Sequence, residues 1–207
     1  MQFLISALLG YLFGSIPTAY LLLKKKQGID ITNTGSGNVG AMNSFEITGS
    51  KKIGFIVFII DFLKGALPVL LSLYLFDSVF IFGAMSLLFA ILSHCFNPWI
   101  SFKGGRGLAT AAGGSIILLP YLLIVWIFGW VILFLIKRDI LFANVFTNIF
   151  TLIIQFITYK VAYSYSYPEP NSVGELLLFS SSVLIIIFVK HIDPLKDIIT
   201  NNQKIKK

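Results

Sequence analysis

Apolar residues run through this chain in long blocks, at 3–23, 53–76, 79–96, 108–136, 140–160 and 174–190, and polar residues gather between them. A block of roughly 17–25 apolar residues, wound as a helix, is what a hydrocarbon layer about 30 Å thick requires. The first block ends at Lys24, Lys25 and Lys26, and the second leads to Asp77. The third returns to the polar stretch "SHCFNPW". The last two flank "YSYSYPEPNS", whose tyrosines and prolines suit an outer interface.

The block at 108–136 is long for one helix and short for two. Cations decide its reading, because lysines and arginines beside spans mark the cytoplasmic side. Lys103 and Arg106 precede the block, and Lys137 and Arg138 follow it, so the chain crosses an even number of times between them. The expectation is a short helix at 108–119, a break near Pro120 and a second helix at 121–136; proline lacks the amide donor and disfavours helix before it. The spans are then 3–23, 53–76, 79–96, 108–119, 121–136, 140–160 and 174–190. This is an all-α integral membrane protein, 1–207 being a single domain of about seven helices, with the amino terminus outside and the carboxyl terminus cytoplasmic. On this topology only Lys64 and Lys160, of 16 lysines and arginines, fall away from the inner face.

Composition points the same way. Only 12% of residues are charged and 57% are apolar, with a mean hydropathy of +0.88. A soluble domain carries about 25% charge, so this chain cannot cover a globule in water. The net charge of +7 is therefore read as membrane sidedness, with no nucleic-acid partner. Cys95 is alone, which excludes an internal disulfide. Residues 1–23 carry no charge and lack the basic start of a signal peptide, so they are expected to remain as the first helix.

Two polar loops, 24–52 and 97–107, then face the cytoplasm, each ahead of an apolar helix. The first contains "TGSGNVGAMNSFEITGSKK", where Gly35, Gly37 and Gly40, with Asn43, let backbone N–H groups approach an anion. In the second, "WISFKGGRG", Lys103 and Arg106 bring charge while Gly104, Gly105 and Gly107 let amides converge. Thr110 adds a hydroxyl in the first turn of the next helix, whose positive dipole end favours phosphate. The plainer readings are a capped polar loop and a positive marker beside small packing residues. "GSGNVG" formally matches a dinucleotide fingerprint, with Asp61 near the ribose spacing. No strand precedes it, however, and Asp61 lies in an apolar span. "FKGGRG" is not a Walker loop.

"DFLKG" puts Asp61 and Lys64 one helical turn apart inside a span, either as an ion pair or with Lys64 facing the pocket. His94 and His191 are each candidates for a general base or for an interfacial helix end. Cys95 beside His94 is no dyad, since adjacent helical positions diverge. No cluster has metal-ligand spacing, so neither a metal nor a cofactor is expected. The basic tail "NNQKIKK" suits anionic lipid.

Three blocks, "GSGNVGAMN" at 35–43, "HCFNPWISFKGGRGLAT" at 94–110 and "KHIDPLKDI" at 190–198, with "DFLKG" between the first two, resemble the bacterial membrane glycerol-3-phosphate acyltransferases of the PlsY type. The resemblance implies transfer of a fatty acyl group from acyl-phosphate to the 1-hydroxyl of sn-glycerol 3-phosphate, giving lysophosphatidic acid and phosphate. It implies a multi-pass protein of the bacterial inner membrane, in contact with membrane lipids and with the enzyme that supplies acyl-phosphate. Ser36, Gly37 and Asn38 match the first motif, Lys103 to Gly107 the phosphate-binding loop, and His191 the histidine of the third. Ser36, Asn38 and His191 are thus expected in catalysis. The chain departs from the pattern at Met42, where Thr is usual, at Glu46, where Arg is usual, at Asn97-Pro98 in place of Pro-Val, and at Ile192-Asp193-Pro194 in place of Arg-Glu-Asn. A diverged or inactive paralogue binding phosphorylated lipid precursors is one alternative. A small transporter of phosphorylated metabolites is another, though it would favour broken helices and a midplane site.

Overall fold

The computed structural model describes the backbone of residues 1–205 and the side chains of residues 1–196. Among them are ten α-helices and no strand. Helices α1 (Gln2–Gly14) and α2 (Thr18–Gln27) are followed by a 3-10 turn (Ile31–Asn33), α3 (Ala41–Thr48), α4 (Lys51–Leu75) and α5 (Phe80–Cys95). A second 3-10 turn (Pro98–Ile100) precedes α6 (Leu108–Leu118), α7 (Pro120–Lys137), α8 (Ile140–Ile157), α9 (Tyr159–Ser164) and α10 (Val173–Ile205). Six segments are long and apolar enough to cross a membrane, with α1 and α2 together counting as one, and α6 is a shorter apolar helix. The tail lysines 204, 206 and 207, and Asp197 and Ile198 of the third block, lie outside the described side chains.

The break expected near Pro120 is present: α6 stops at Leu118, and Pro120 opens α7 at a position where its missing donor costs nothing. Other boundaries differ from the expectation. The span expected at 3–23 is interrupted between Gly14 and Thr18, because Pro17 cannot donate and restricts Ile16. The first polar loop contains a helix, α3, stopped by Gly49 at φ 64°. The span expected at 140–160 ends at Ile157 and restarts as α9. The last helix continues beyond 190 through Pro194, so His191 lies inside it.

The bundle is drawn together by small residues. Gly10 and Gly14 of α1 lie on the backbone of α5 at Ser86 and Ala90, leaving no space for a Cβ. Gly65 of α4 meets the Thr110 carbonyl of α6, and Gly113 returns the contact on the Phe62 carbonyl. Close approach of this kind replaces the hydrophobic effect, which gives little between helices already in lipid. The main core, with Val69, Phe80, Leu87, Ile91, Leu118 and Leu176, joins α4, α5, α6 and α10. A second cluster, Ala19, Leu23, Ile31, Val39, Val57 and Ile100, ties α2 and both polar loops to α4.

Candidate active site

The first loop is shaped by its own side chains. Asp30 Oδ1 accepts from the Thr32 hydroxyl at 2.7 Å and from its N–H at 3.0 Å. The hydroxyl bond, against the opposing effect of desolvation, holds the Asp30 carboxyl below its ordinary value. Asn43 Oδ1 accepts from the Ser36 N–H at 3.0 Å, while Nδ2 donates to the carbonyls of Thr34 and Asn38 at 3.1 and 3.0 Å. Asn43 is buried with its amide engaged within the loop, bracing the turn that Gly35 and Gly37 make at φ 61° and 69°.

The second loop hangs from the break in the first span. Asn97 Nδ2 donates to the Ser15 carbonyl at 2.7 Å, and Trp99 Nε1 donates to Ser15 Oγ at 3.2 Å. Gly104 and Gly105 lie against the end of α5, where a Cβ would strike the His94 and Cys95 carbonyls or the His94 ring. The Gly105 N–H donates to the His94 carbonyl at 3.1 Å, so this amide is already engaged. The two loops meet: the Val39 N–H donates to the Gly104 carbonyl at 3.2 Å.

Where they meet, a cavity of about 680 Å³ begins. Its polar end is lined by Asn38, Gly40, Ala41 and Met42 from the first loop and α3, and by Arg106, Gly107, Leu108 and Ala109 from the second loop and α6. Asp61 and His94 also reach it. Helices α3 and α6 both start here, with Gly40 and Gly107 as N-caps and no side chain capping either. First-turn amides have no acceptor within their own helix, so two positive dipole ends face one space. Burial of the half-buried Arg106 guanidinium pulls its pKa down from the ordinary arginine value, and the Glu46 carboxylate pushes it back up. Beyond this end the walls are mostly apolar, with Leu119 at the break between α6 and α7, Leu122, Trp126 and Ile127 from α7, and Val183 and Leu184 from α10. An anionic head at one end and a long tail in the other match this division.

The remaining sequence candidates lie around the cavity. Ser36 is exposed and is not among the residues lining the cavity. Lys64 is buried with its Nζ 2.6 Å from Asp61 Oδ1, and His94 Nδ1 is 3.9 Å from the same oxygen. Thr110 is fully buried between α6 and α4. Lys103 donates to Asn33 Oδ1 at 3.1 Å and lines a separate hollow of about 280 Å³ with Tyr20, Asp30 and Trp99. Lys103 and Arg106, three residues apart, thus serve different spaces. His191 is 1% exposed and stands behind Asn144, which lines the cavity. Sequence reasoning passed over Asn144, Trp126 and Trp130. A signal was available, since Asn144, Thr147, Asn148, Thr151 and Gln155 form a stripe at helical spacing in an apolar segment, and all are buried.

Over residues 4–201 the chain matches the family model described as glycerol-3-phosphate acyltransferase. The glycerol-3-phosphate acyltransferase of Myxococcus xanthus is 40% identical over 132 residues, covering 63% of this chain and 68% of that protein. That of Helicobacter pylori strain J99 is 31% identical over 208 residues, covering 97% and 93%. The crystal structure of PlsY, an integral membrane glycerol 3-phosphate acyltransferase, in its glycerol 3-phosphate form, superposes with a TM-score of 0.79 at 29% identity, covering 97% of this chain and 94% of that one. The lysophosphatidic acid form gives 0.77 at 28% identity, covering 97% and 93%.

Proposed function

This chain belongs to the glycerol-3-phosphate acyltransferase family, and on that premise we propose that it moves a fatty acyl group from acyl-phosphate to glycerol 3-phosphate at the inner face of the bacterial cell membrane. The observation that carries this reading is the cavity in which two helix starts and Arg106 oppose a long apolar wall. Both substrates bear phosphate. The α3 and α6 amides, Asn38 and Arg106 supply donors and positive charge for two such groups side by side. The apolar length accepts the tail, so no fatty chain has to pass through water. Polar loops facing the cytoplasm, where glycerol 3-phosphate is dissolved, follow from the flanking cations.

Acyl-phosphate is already activated. The acceptor hydroxyl oxygen attacks the acyl carbonyl carbon, the bond from that carbon to the phosphate oxygen breaks, and the leaving phosphate takes the electron pair. The hydroxyl proton ends on phosphate, giving lysophosphatidic acid and hydrogen phosphate. Approach and charge neutralisation suffice, without a covalent nucleophile. Supply of acyl-phosphate by a neighbouring enzyme accords with a reactive donor handed over at the membrane.

The test is turnover by purified protein with glycerol 3-phosphate and, in turn, acyl-phosphate, acyl-coenzyme A and an acyl carrier protein thioester. Lysophosphatidic acid and phosphate are expected from acyl-phosphate alone; turnover with either thioester and none with acyl-phosphate overturns the donor assignment. Arg106→Ala is expected to lower kcat/KM by about 10- to 100-fold, the loss of a charge-assisted hydrogen bond of about 1.5–3 kcal/mol. An unchanged value removes Arg106 from the site.

A further inference from the structure

Beside the polar end of the cavity, three helices contribute to one hydrogen-bonded chain. Trp130 Nε1 of α7 donates to Asn144 Oδ1 of α8 at 2.7 Å. Asn144 Nδ2 lies 3.4 Å from His191 Nε2 of α10. His191 Nδ1 lies 2.8 Å from the Ile187 carbonyl. Each role is fixed by chemistry. An indole N–H only donates, so the amide atom facing Trp130 is its oxygen, and Nδ2 faces the histidine. A carbonyl only accepts, so His191 carries its proton on Nδ1, and Nε2 accepts from the amide.

This order has a consequence for His191. Its ring is 1% exposed, one nitrogen is held by the backbone, and the lone pair of the other is directed at Asn144. Asn144 lies between the ring and the cavity and lines that cavity. Its Nδ2 has a second hydrogen, which neither His191 nor Trp130 takes up.

We propose that Asn144 is the residue that meets the substrate at this corner, donating its free amide hydrogen to an anionic substrate oxygen, while His191 and Trp130 are positioning residues that hold the amide at its two ends. His191 then transfers no proton. This rests on reading the cavity as the site of acyl transfer.

The decisive comparison is His191→Ala against His191→Gln. A glutamine amide places an oxygen near the Nε2 position, where it accepts from Asn144, but it cannot act as a base. Steady-state acyl transfer with acyl-phosphate and glycerol 3-phosphate is followed for wild type, both His191 variants, Asn144→Asp and Trp130→Phe. Thermal midpoints in detergent accompany each variant. His191→Ala and Asn144→Asp are expected to lose about tenfold or more in kcat/KM, while His191→Gln returns to within about threefold of wild type. Trp130→Phe removes the indole N–H together with part of the ring that stacks on Phe134; it is expected to lose several-fold in kcat/KM, read beside its midpoint, and it stands in for Asn144→Asp should that variant fail to fold. Equal losses in His191→Gln and His191→Ala, of the 10²- to 10⁴-fold order that removal of a general base causes, overturn the proposal. So does full activity in Asn144→Asp. Loss of activity in Arg106→Ala with none in these variants dismisses the amide's role and leaves the proposed function standing; an active Arg106→Ala with impaired Asn144→Asp removes Arg106 from the site and keeps the amide's role, and absence of acyl transfer in the wild type overturns the proposed function itself.

Discussion

Arg106 and Glu46 show how one residue can set the strength of another. The guanidinium lines the cavity, and the charge of Glu46, on the exposed side of α3, acts on it. On the proposed reading, a substrate phosphate held by Arg106 also meets the charge of Glu46. Glu46→Gln removes that charge at equal size, and the expected result is a KM for glycerol 3-phosphate lowered by about two- to fivefold with kcat little changed, the scale of one partly screened charge. Substrate-dependent rates for the two proteins check it, and a raised KM makes Glu46 a contributor instead. Arg106 was legible in the sequence as a cation among glycines. Its separation from Lys103 was not, because the left-handed positions at Ser101, Phe102 and Gly107, which flank the two cations, turn the loop in a way that spacing does not encode.

At the scale of elements, proline was a sound guide only where hydropathy also raised a question. Pro120 falls in a block too long for one helix, so its break could be read. Pro17 falls in a block of ordinary length, so its break was hidden; yet that break frees the Ser15 carbonyl and brings Asn97 and the second loop to it. The buried stripe on α8 was hidden for a related reason, since its five polar residues are diluted by Phe and Ile in any average over the segment. The contact between α4 and α6 depends on glycine at both ends, and it sets where the α6 start lies. Gly113→Leu drives a side chain into the Phe62 carbonyl and is expected to cost about 1–3 kcal/mol, with lost activity on top of a lowered Tm in detergent. An unchanged Tm would mean that the crossing carries no weight in the bundle.

Taken whole, the molecule separates reaction from capacity. Loops and helix starts occupy one end of the cavity, and α6, α7, α8 and α10 wall the rest. Ala112 lies on the α6 side of that length. Ala112→Trp is expected to reduce transfer of long acyl chains at least about tenfold while sparing short ones, since a side chain of that size displaces several methylenes worth about 0.8 kcal/mol each. A series of acyl-phosphates of increasing length reads this directly, and a uniform loss across the series would detach Ala112 from the tail. The outer wall, α7, packs chiefly on α8 and turns most of its surface away from the bundle. Acyl-length preference is therefore expected to differ between a bilayer and a micelle, because the lipid or detergent beside α7 borders one wall of the tail cavity.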